Sequence, residues 1–164
     1  MKKLSPTGYI LVGIPIIFLV GSFFHFVYDL TGQNFLVGLV APVNESVWEH
    51  TKMVLLPTIL YWSVYPHKID KNKWYTGLLS ALLSSITTML FVFYFYTSAF
   101  GIESLIIDIL ILLLSVTIGQ LFGLHIYTYA KGIKGAVVII MAIVLIYAFW
   151  TLFPPNIPLF TSPI

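Results

Sequence analysis

Long uninterrupted apolar runs dominate this sequence, and several approach or exceed the roughly 20 residues that a helix needs to cross a hydrocarbon core. The runs are continuous and do not alternate at a period of two residues, which disfavours a transmembrane barrel. Hydrophobic residues make up 59% of the 164 residues, whereas only 9% are charged. The longest stretch outside the runs is only about a dozen residues, too few for a soluble domain. We therefore predict an all-α, polytopic membrane protein with a single transmembrane helical domain over residues 1–164.

Prolines, glycines and polar turns divide the chain into five predicted transmembrane helices that form one bundle. Their approximate bounds are residues 8–30, 44–65, 74–98, 102–129 and 136–153. Residues 35–43 are mostly apolar but too few to span, so we predict a short re-entrant or interfacial segment between the first two helices.

The lysines predict the orientation of this bundle. Seven of the eight lysines precede the first helix or lie between helices two and three or helices four and five: Lys2, Lys3, Lys68, Lys71, Lys73, Lys131 and Lys134. With five helices these segments share one side, which the positive-inside rule makes cytoplasmic. We expect a multi-pass protein of the inner (cytoplasmic) cell membrane, with the amino terminus cytoplasmic and the carboxyl terminus outside.

The composition also limits the partners and cofactors. Nucleic acid is excluded as a partner because the lysines are scattered in short loops and arginine is absent. The absence of cysteine excludes disulfides, thiolate chemistry and cysteine-ligated metals, so a metal would need His, Asp, Glu or backbone oxygen. Membrane lipids are the expected partners, and a homo-oligomer is an open alternative.

Titratable side chains gather at the outer ends of helices one, two and four. Five of the six acids map there, together with two histidines and one lysine: Asp29, Glu45, Glu49, Glu103, Asp108, His25, His50 and Lys52. Because groups from three helices share one depth, the pattern predicts a site at this end of the bundle.

A metal centre is the first interpretation of this cluster. Two imidazoles and a carboxylate can bind zinc or iron and leave a position open for water, so the candidate ligands are His25, His50, Asp29 and Asp108. Hydrolytic metal sites also need a general base, for which Glu49 and Glu45 are the candidates. Both glutamates fall with Lys52 on one predicted helical stripe, at i, i+4 and i+7, which makes Lys52 the third candidate catalytic residue.

Two other interpretations stay open. Ser46 and Glu49 have the spacing of a capping box, with Asn44 as an alternative cap and Trp48 beside the charged stripe, so these residues are structural candidates. The remaining charges would then form an ion-pair network that joins helices.

A proton- or cation-coupled pathway would instead use the cluster as its outer vestibule. His125 lies 17 residues beyond Asp108, or about 25 Å along a helix, so it cannot belong to the outer site. We interpret His125 as a lone histidine near the cytoplasmic headgroups. Five helices are few for a monomeric carrier, so transport would require a dimer.

The string Pro-Val-Asn-Glu-Ser-Val-Trp-Glu-His-x-Lys, residues 42–52, lies between His25-x-x-x-Asp29 and Ile-Ile-Asp-Ile-Leu at residues 106–110. With these motifs the chain resembles, over nearly its whole length, a family of small, functionally uncharacterised bacterial multi-pass membrane proteins. That resemblance implies no activity. A looser analogy is to the alkaline ceramidase and progestin-receptor superfamily, membrane hydrolases that place His-x-x-x-Asp and further histidines around zinc. This chain differs from them in having five predicted helices and no paired His-x-x-x-His near its end.

The leading functional prediction is a membrane protein that binds one divalent metal, zinc or iron, and hydrolyses a lipid or lipid-linked substrate at the outer interface. The alternatives are a small ion- or proton-coupled solute transporter and a non-catalytic membrane subunit whose charges form a structural ion-pair network.

Overall fold

A computed structural model describes residues 4–65 and 68–162, and within these ranges all regular secondary structure is helical. The helices, in chain order, are α1 (Pro6–Leu30), α2 (Phe35–Gly38), α3 (Val47–His50), α4 (Lys52–Ser63), α5 (Lys71–Phe100), α6 (Leu105–Tyr129), α7 (Ala136–Leu152) and a 3₁₀ turn (Pro158–Phe160). The all-α prediction is therefore confirmed. Lys2 and Lys3, which contribute to the predicted orientation, lie outside the described residues.

Helices α1, α5 and α6 are long and apolar enough to cross a membrane, and among the described residues they are the three that meet this criterion. Helix α7 is apolar but has only 17 residues. The second predicted helix is divided at Thr51 into α3 and α4. Of the five predicted spans, the structure thus supports three by length and composition.

The second predicted helix starts at Val47 rather than Asn44 because Ser46 has an extended backbone, at φ −69° and ψ 149°, and caps the helix. Farther along, Pro57 lies inside α4 and has no N–H to donate to the carbonyl of Met53. Helix α1 approaches this same carbonyl closely at Gly21, where a Cβ would collide with the Met53 oxygen. Close packing of α1 on α4 therefore depends on Gly21, which faces the Met53 carbonyl that Pro57 leaves without a helical hydrogen bond.

Small residues at four-residue spacing allow close contact between α5 and α6. A Cβ on Gly123 would lie 2.8 Å from the Gly77 carbonyl oxygen, and a Cβ on Gly119 would lie 2.8 Å from that of Ala81. Such seams bring helix backbones together where apolar surface alone gives no driving force, as in lipid. The seam holds α5 and α6 as a hairpin.

The connections place the lysines and the site at opposite ends of this hairpin. At one end, the loop after α6 contacts the start of α5, where the backbone N–H of Ile133 donates to the Thr76 hydroxyl at 2.7 Å. At the other end, α5 stops at Gly101, which has a left-handed backbone conformation (φ 62°), and α6 begins four residues later. Residues near the end of α5 and the start of α6 therefore lie side by side.

Two aromatic clusters fill the ends of the bundle. At the lysine end Trp62 and Trp74 lie 4.5 Å apart between ring centroids, and the Trp74 indole donates to the Trp62 carbonyl at 3.0 Å. At the site end Trp48 stacks on Tyr147 at 4.2 Å and contacts Phe160 from the carboxyl-terminal segment. These tryptophans are buried in the protein, so their first role is packing.

Candidate metal centre and cavity

The start of α3 fixes the backbone that carries the candidate site. The Ser46 hydroxyl accepts from the backbone N–H of Glu49 at 3.3 Å, and the Asn44 side chain accepts from the N–H of Ser46 at 2.9 Å. The Glu49 carboxylate does not return to Ser46, as a reciprocal capping box requires, because it accepts from the N–H of Val43 at 3.0 Å instead. Asn44 and Ser46 together hold the turn in which Glu45 precedes the helix.

His25, Glu45 and His50 come together at the end of α1 and the start of α3. The Nε2 atom of His50 lies 3.4 Å from a Glu45 carboxylate oxygen, and Nε2 of His25 lies 3.9 Å from the other oxygen. The two imidazole rings are stacked, with centroids 5.3 Å apart. One ligand atom from each residue lies within 4.8 Å of the others, so the three could hold a metal ion.

A hydrogen bond orients the His50 ring. Its Nδ1 lies 2.9 Å from the backbone carbonyl oxygen of Ser46, which can only accept, so Nδ1 carries the proton. Nε2 of His50 then faces the Glu45 carboxylate at 3.4 Å, so the two residues could share a metal ion. A backbone carbonyl on the far nitrogen is a common means of orienting metal-binding histidines.

These three side chains line the rim of a cavity with a volume of about 360 Å³. Its walls are mostly apolar and come from α1, α3, α4, α5 and α6, with Phe26, Met53, Met89, Phe93 and Leu112 among the lining residues. The volume is at the lower end of the range of small-molecule sites, about 300–1,000 Å³. His25, Glu45 and His50 are 28%, 66% and 31% exposed at their side chains, so the metal-binding group is accessible to solvent.

A second polar group lines the same cavity where α5 meets α6. The Tyr96 hydroxyl donates to Oδ1 of Asp108 at 2.6 Å, and Glu103 lies in the connection between the two helices. Tyr96 is 7% exposed, so its ring is held by packing while its hydroxyl faces Asp108. Asp108 was predicted as a metal ligand, but the structure places it in this tyrosine pair and outside the group of three.

Glu49 and Lys52 form a buried ion pair behind the cavity wall. Nζ of Lys52 lies 2.6 Å from Oε2 of Glu49 and also donates to the carbonyl oxygens of Gly38 and Ala41, at 2.9 and 3.3 Å. The side chains are 0% and 4% exposed, and neither lines the cavity. All three ammonium hydrogens have acceptors. The ion pair therefore links residues 38–43 to α3 through Glu49 and to α4 through Lys52.

The remaining predicted residues lie outside the metal-binding group. Asp29 is exposed and accepts from the Gln33 side chain at 3.3 Å. Trp48 packs in the aromatic cluster described above. His125 is exposed on α6 and contacts Tyr129, near the lysine end.

The structure adds Tyr96 to the cavity, a residue that no sequence motif indicates. The sequence signal that could have identified Tyr96 is the short connection between α5 and α6. A short connection makes residues at similar distances from the turn, such as Tyr96 and Asp108, neighbours across the hairpin.

Comparison with known proteins assigns the chain to a family but gives no activity. The chain matches the family of unknown function DUF6512 over residues 1–164 and belongs to that family. This agrees with the resemblance to an uncharacterised family. No curated protein and no solved structure matches the chain.

Proposed function

We propose that this member of the DUF6512 family is a five-span membrane protein that binds a divalent transition metal through His25, Glu45 and His50. The observation that carries the proposal is the convergence of one ligand atom from each of the three side chains to within 4.8 Å. They come from two separate segments of the chain, α1 and the turn that leads into α3.

The donor set fits zinc or iron. Tetrahedral zinc has ligand distances of about 2.0–2.2 Å, so its ligand atoms lie about 3.3 Å apart. The 3.4 Å between Nε2 of His50 and one Glu45 oxygen matches this spacing. Nε2 of His25 lies 3.9 Å from the other oxygen, and the ligand atoms spread over up to 4.8 Å, so binding an ion would require the exposed Glu45 side chain to move toward the histidines. Three protein ligands leave a further position open, as catalytic metal sites require.

The membrane assignment has support from the surface of the bundle. Large apolar side chains are exposed along α1, α5, α6 and α7, including Leu19 at 65%, Phe91 at 68% and Leu145 at 69%. A surface of this kind is costly in water and suits lipid. In the five-span arrangement α3 and α4 together form the second span and α7 the fifth.

The proposed orientation of the bundle in the membrane follows from the lysines at one of its ends. The contact between Ile133 and Thr76 brings the loop that carries Lys131 and Lys134 against the start of α5, which carries Lys71 and Lys73. By the positive-inside rule this end is cytoplasmic, and the metal-binding group then lies at the outer face.

The finer proposal is a hydrolase that acts on a lipid or lipid-linked substrate in the cavity. A bound metal would supply Lewis acidity at the cavity rim. Glu49 is not suited to be the base because its carboxylate is occupied by Lys52 and Val43 and does not line the cavity. Glu103 and Asp108 are the carboxylates on the cavity wall that could accept a proton, so they replace Glu49 in this role.

Metal content is the test of the metal-binding proposal. The protein is purified in detergent, incubated with zinc or ferrous iron, desalted and measured by plasma mass spectrometry. We expect about one ion per chain in the wild type and a loss of most of it in His50→Ala and Glu45→Gln. His125→Ala is the matched control because it removes an exposed histidine from the opposite end. Equal metal in all four proteins, or none in the wild type after loading, would refute the proposal.

The hydrolase proposal requires a separate assay. Lipid ester and amide substrates in mixed micelles are incubated with wild type, with protein treated with a chelator and with the treated protein after zinc or iron is restored. We expect hydrolysis that disappears on chelation, returns with metal and is absent in His50→Ala. Metal binding without any hydrolysis in the panel would contradict this finer proposal and leave the metal site intact.

A further inference from the structure

The charge of the cavity lining points to the class of ligand. Three carboxylates line it, Glu45, Glu103 and Asp108, and its lining residues in the described ranges include no lysine. The chain has no arginine, and Lys52, the nearest lysine in sequence to α3, is fully buried in its pair with Glu49. Glu103 and Asp108, which line the cavity from the connection after α5 and from α6, therefore have no lysine partner in the lining.

The hydrogen-bonding groups of the lining likewise favour a ligand that donates hydrogen bonds. The Tyr96 hydroxyl already donates to Asp108, and the Ser22 hydroxyl already donates to the Phe18 carbonyl. One Asp108 oxygen accepts this bond, which leaves the second oxygen with free acceptor capacity, as a carboxylate has about four lone-pair sites. The cavity thus offers acceptors and few free donors.

The metal-binding group and the Tyr96–Asp108 pair line one largely apolar cavity. The first comes from α1, α3 and the turn before α3, the second comes from the α5–α6 hairpin, and apolar residues of α1, α4 and α5 line the same cavity. A ligand that satisfies the whole lining needs an apolar body and a positively charged, hydrogen-donating group. Anionic headgroups would meet Asp108 and Glu103 with like charge, which is unfavourable.

We infer that the cavity binds an amphipathic amine, with its ammonium group at Asp108 and Glu103 and its apolar body along the cavity wall. This inference rests on the proposed function only in its use of the same cavity, and it names the substrate class. Tyr96 is a positioning residue here because its hydroxyl holds the Asp108 carboxylate at the cavity wall.

The test compares two probes of equal chain length on metal-free protein. Decylammonium and decanoate are titrated calorimetrically into wild type, Asp108→Asn and Asp29→Asn in the same non-ionic detergent. Because partition of each probe into micelles is common to all three proteins, differences between variants report binding to the protein. Asp29→Asn is the matched control, since it removes an exposed carboxylate that does not line the cavity.

We expect wild type to bind decylammonium in preference to decanoate. Asp108→Asn should lose about fivefold in decylammonium affinity, the upper end of the effect of one partly solvated charge pair. Asp29→Asn should bind like wild type. Tyr96→Phe should give a smaller loss than Asp108→Asn because the carboxylate remains but is no longer held by the hydroxyl. Equal affinity for the two probes, or unchanged decylammonium binding in Asp108→Asn, would overturn the inference.

Metal loading of a second portion of each protein, measured by plasma mass spectrometry, separates this inference from the proposed function. Wild-type protein that loads metal but shows no preference for decylammonium overturns the ligand class alone. Protein that takes up no metal but binds decylammonium through Asp108 supports the ligand class and refutes the metal site.

Discussion

Replacing Lys52 by methionine should strongly destabilise the protein. Methionine keeps the length of the side chain but removes an ammonium that makes three buried hydrogen bonds, to Glu49, Gly38 and Ala41. The Glu49 carboxylate would remain buried at 3% exposure without its counter-charge. Breaking a buried pair in this way costs about 3–5 kcal/mol.

A loss of this size is readily measured by thermal unfolding in detergent. For a chain of this length about 1 kcal/mol corresponds to about 2–4 °C in Tm, so Lys52→Met should lower Tm by roughly 6–20 °C. Lys71→Met makes the same chemical change at an exposed residue of α5 and should shift Tm by no more than about 2 °C.

The double variant tests the cause of the loss. In Lys52→Met with Glu49→Gln no unpaired charge remains buried, while the carboxamide oxygen can still accept from Val43. Its Tm should therefore be no lower than that of Lys52→Met alone. If Lys52→Met unfolds within 2 °C of the Lys71→Met control, the structural role of the pair is refuted and a catalytic role for Lys52 regains support.

Two further substitutions test the packing and the cap. Gly119→Ala should destabilise the protein by about 1–3 kcal/mol, because the new Cβ would meet the Ala81 carbonyl at 2.8 Å and the Ser85 hydroxyl. The control Gly8→Ala should be tolerated, because its Cβ would meet no atom closer than 3.3 Å. Equal Tm values for the two variants would contradict the close α5–α6 seam. Ser46→Ala should cost about 1 kcal/mol through loss of the N-cap bond, and Ser104→Ala should cost less because Ser104 makes no side-chain cap bond to α6. An unchanged Tm in Ser46→Ala would contradict a stabilising cap at α3.

Hydrophobic run length predicted the helices well because each long apolar segment must bury or shield its backbone polar groups in a helix. It did not predict that the second helix begins at Val47, which depends on the Ser46 cap, or that it is interrupted at Thr51. The gathering of charged residues at one end was also predictable, because successive spans alternate in direction. The ends of α1 and α5 and the starts of α3 and α6 therefore lie at the same end of the bundle.

The partners within that gathering were not predictable from spacing. A helical stripe assigns Glu45 to the same face as Glu49 and Lys52, but the structure separates them because Glu45 precedes the cap and lies outside the helix. Glu45 therefore reaches the two histidines, while Glu49 turns inward to Lys52. Likewise Asp108 pairs with Tyr96 because the α5–α6 connection is short, a tertiary relation that no local pattern contains.

The most direct test of the metal site is X-ray absorption spectroscopy at the zinc edge of the zinc-loaded protein. We predict a first shell of nitrogen and oxygen at about 2.0–2.1 Å and outer-shell scattering from two imidazole rings, with one ring lost in His50→Ala. A spectrum of zinc with no imidazole scattering, or one that His50→Ala leaves unchanged, would contradict the assignment of His25, Glu45 and His50 as the ligands.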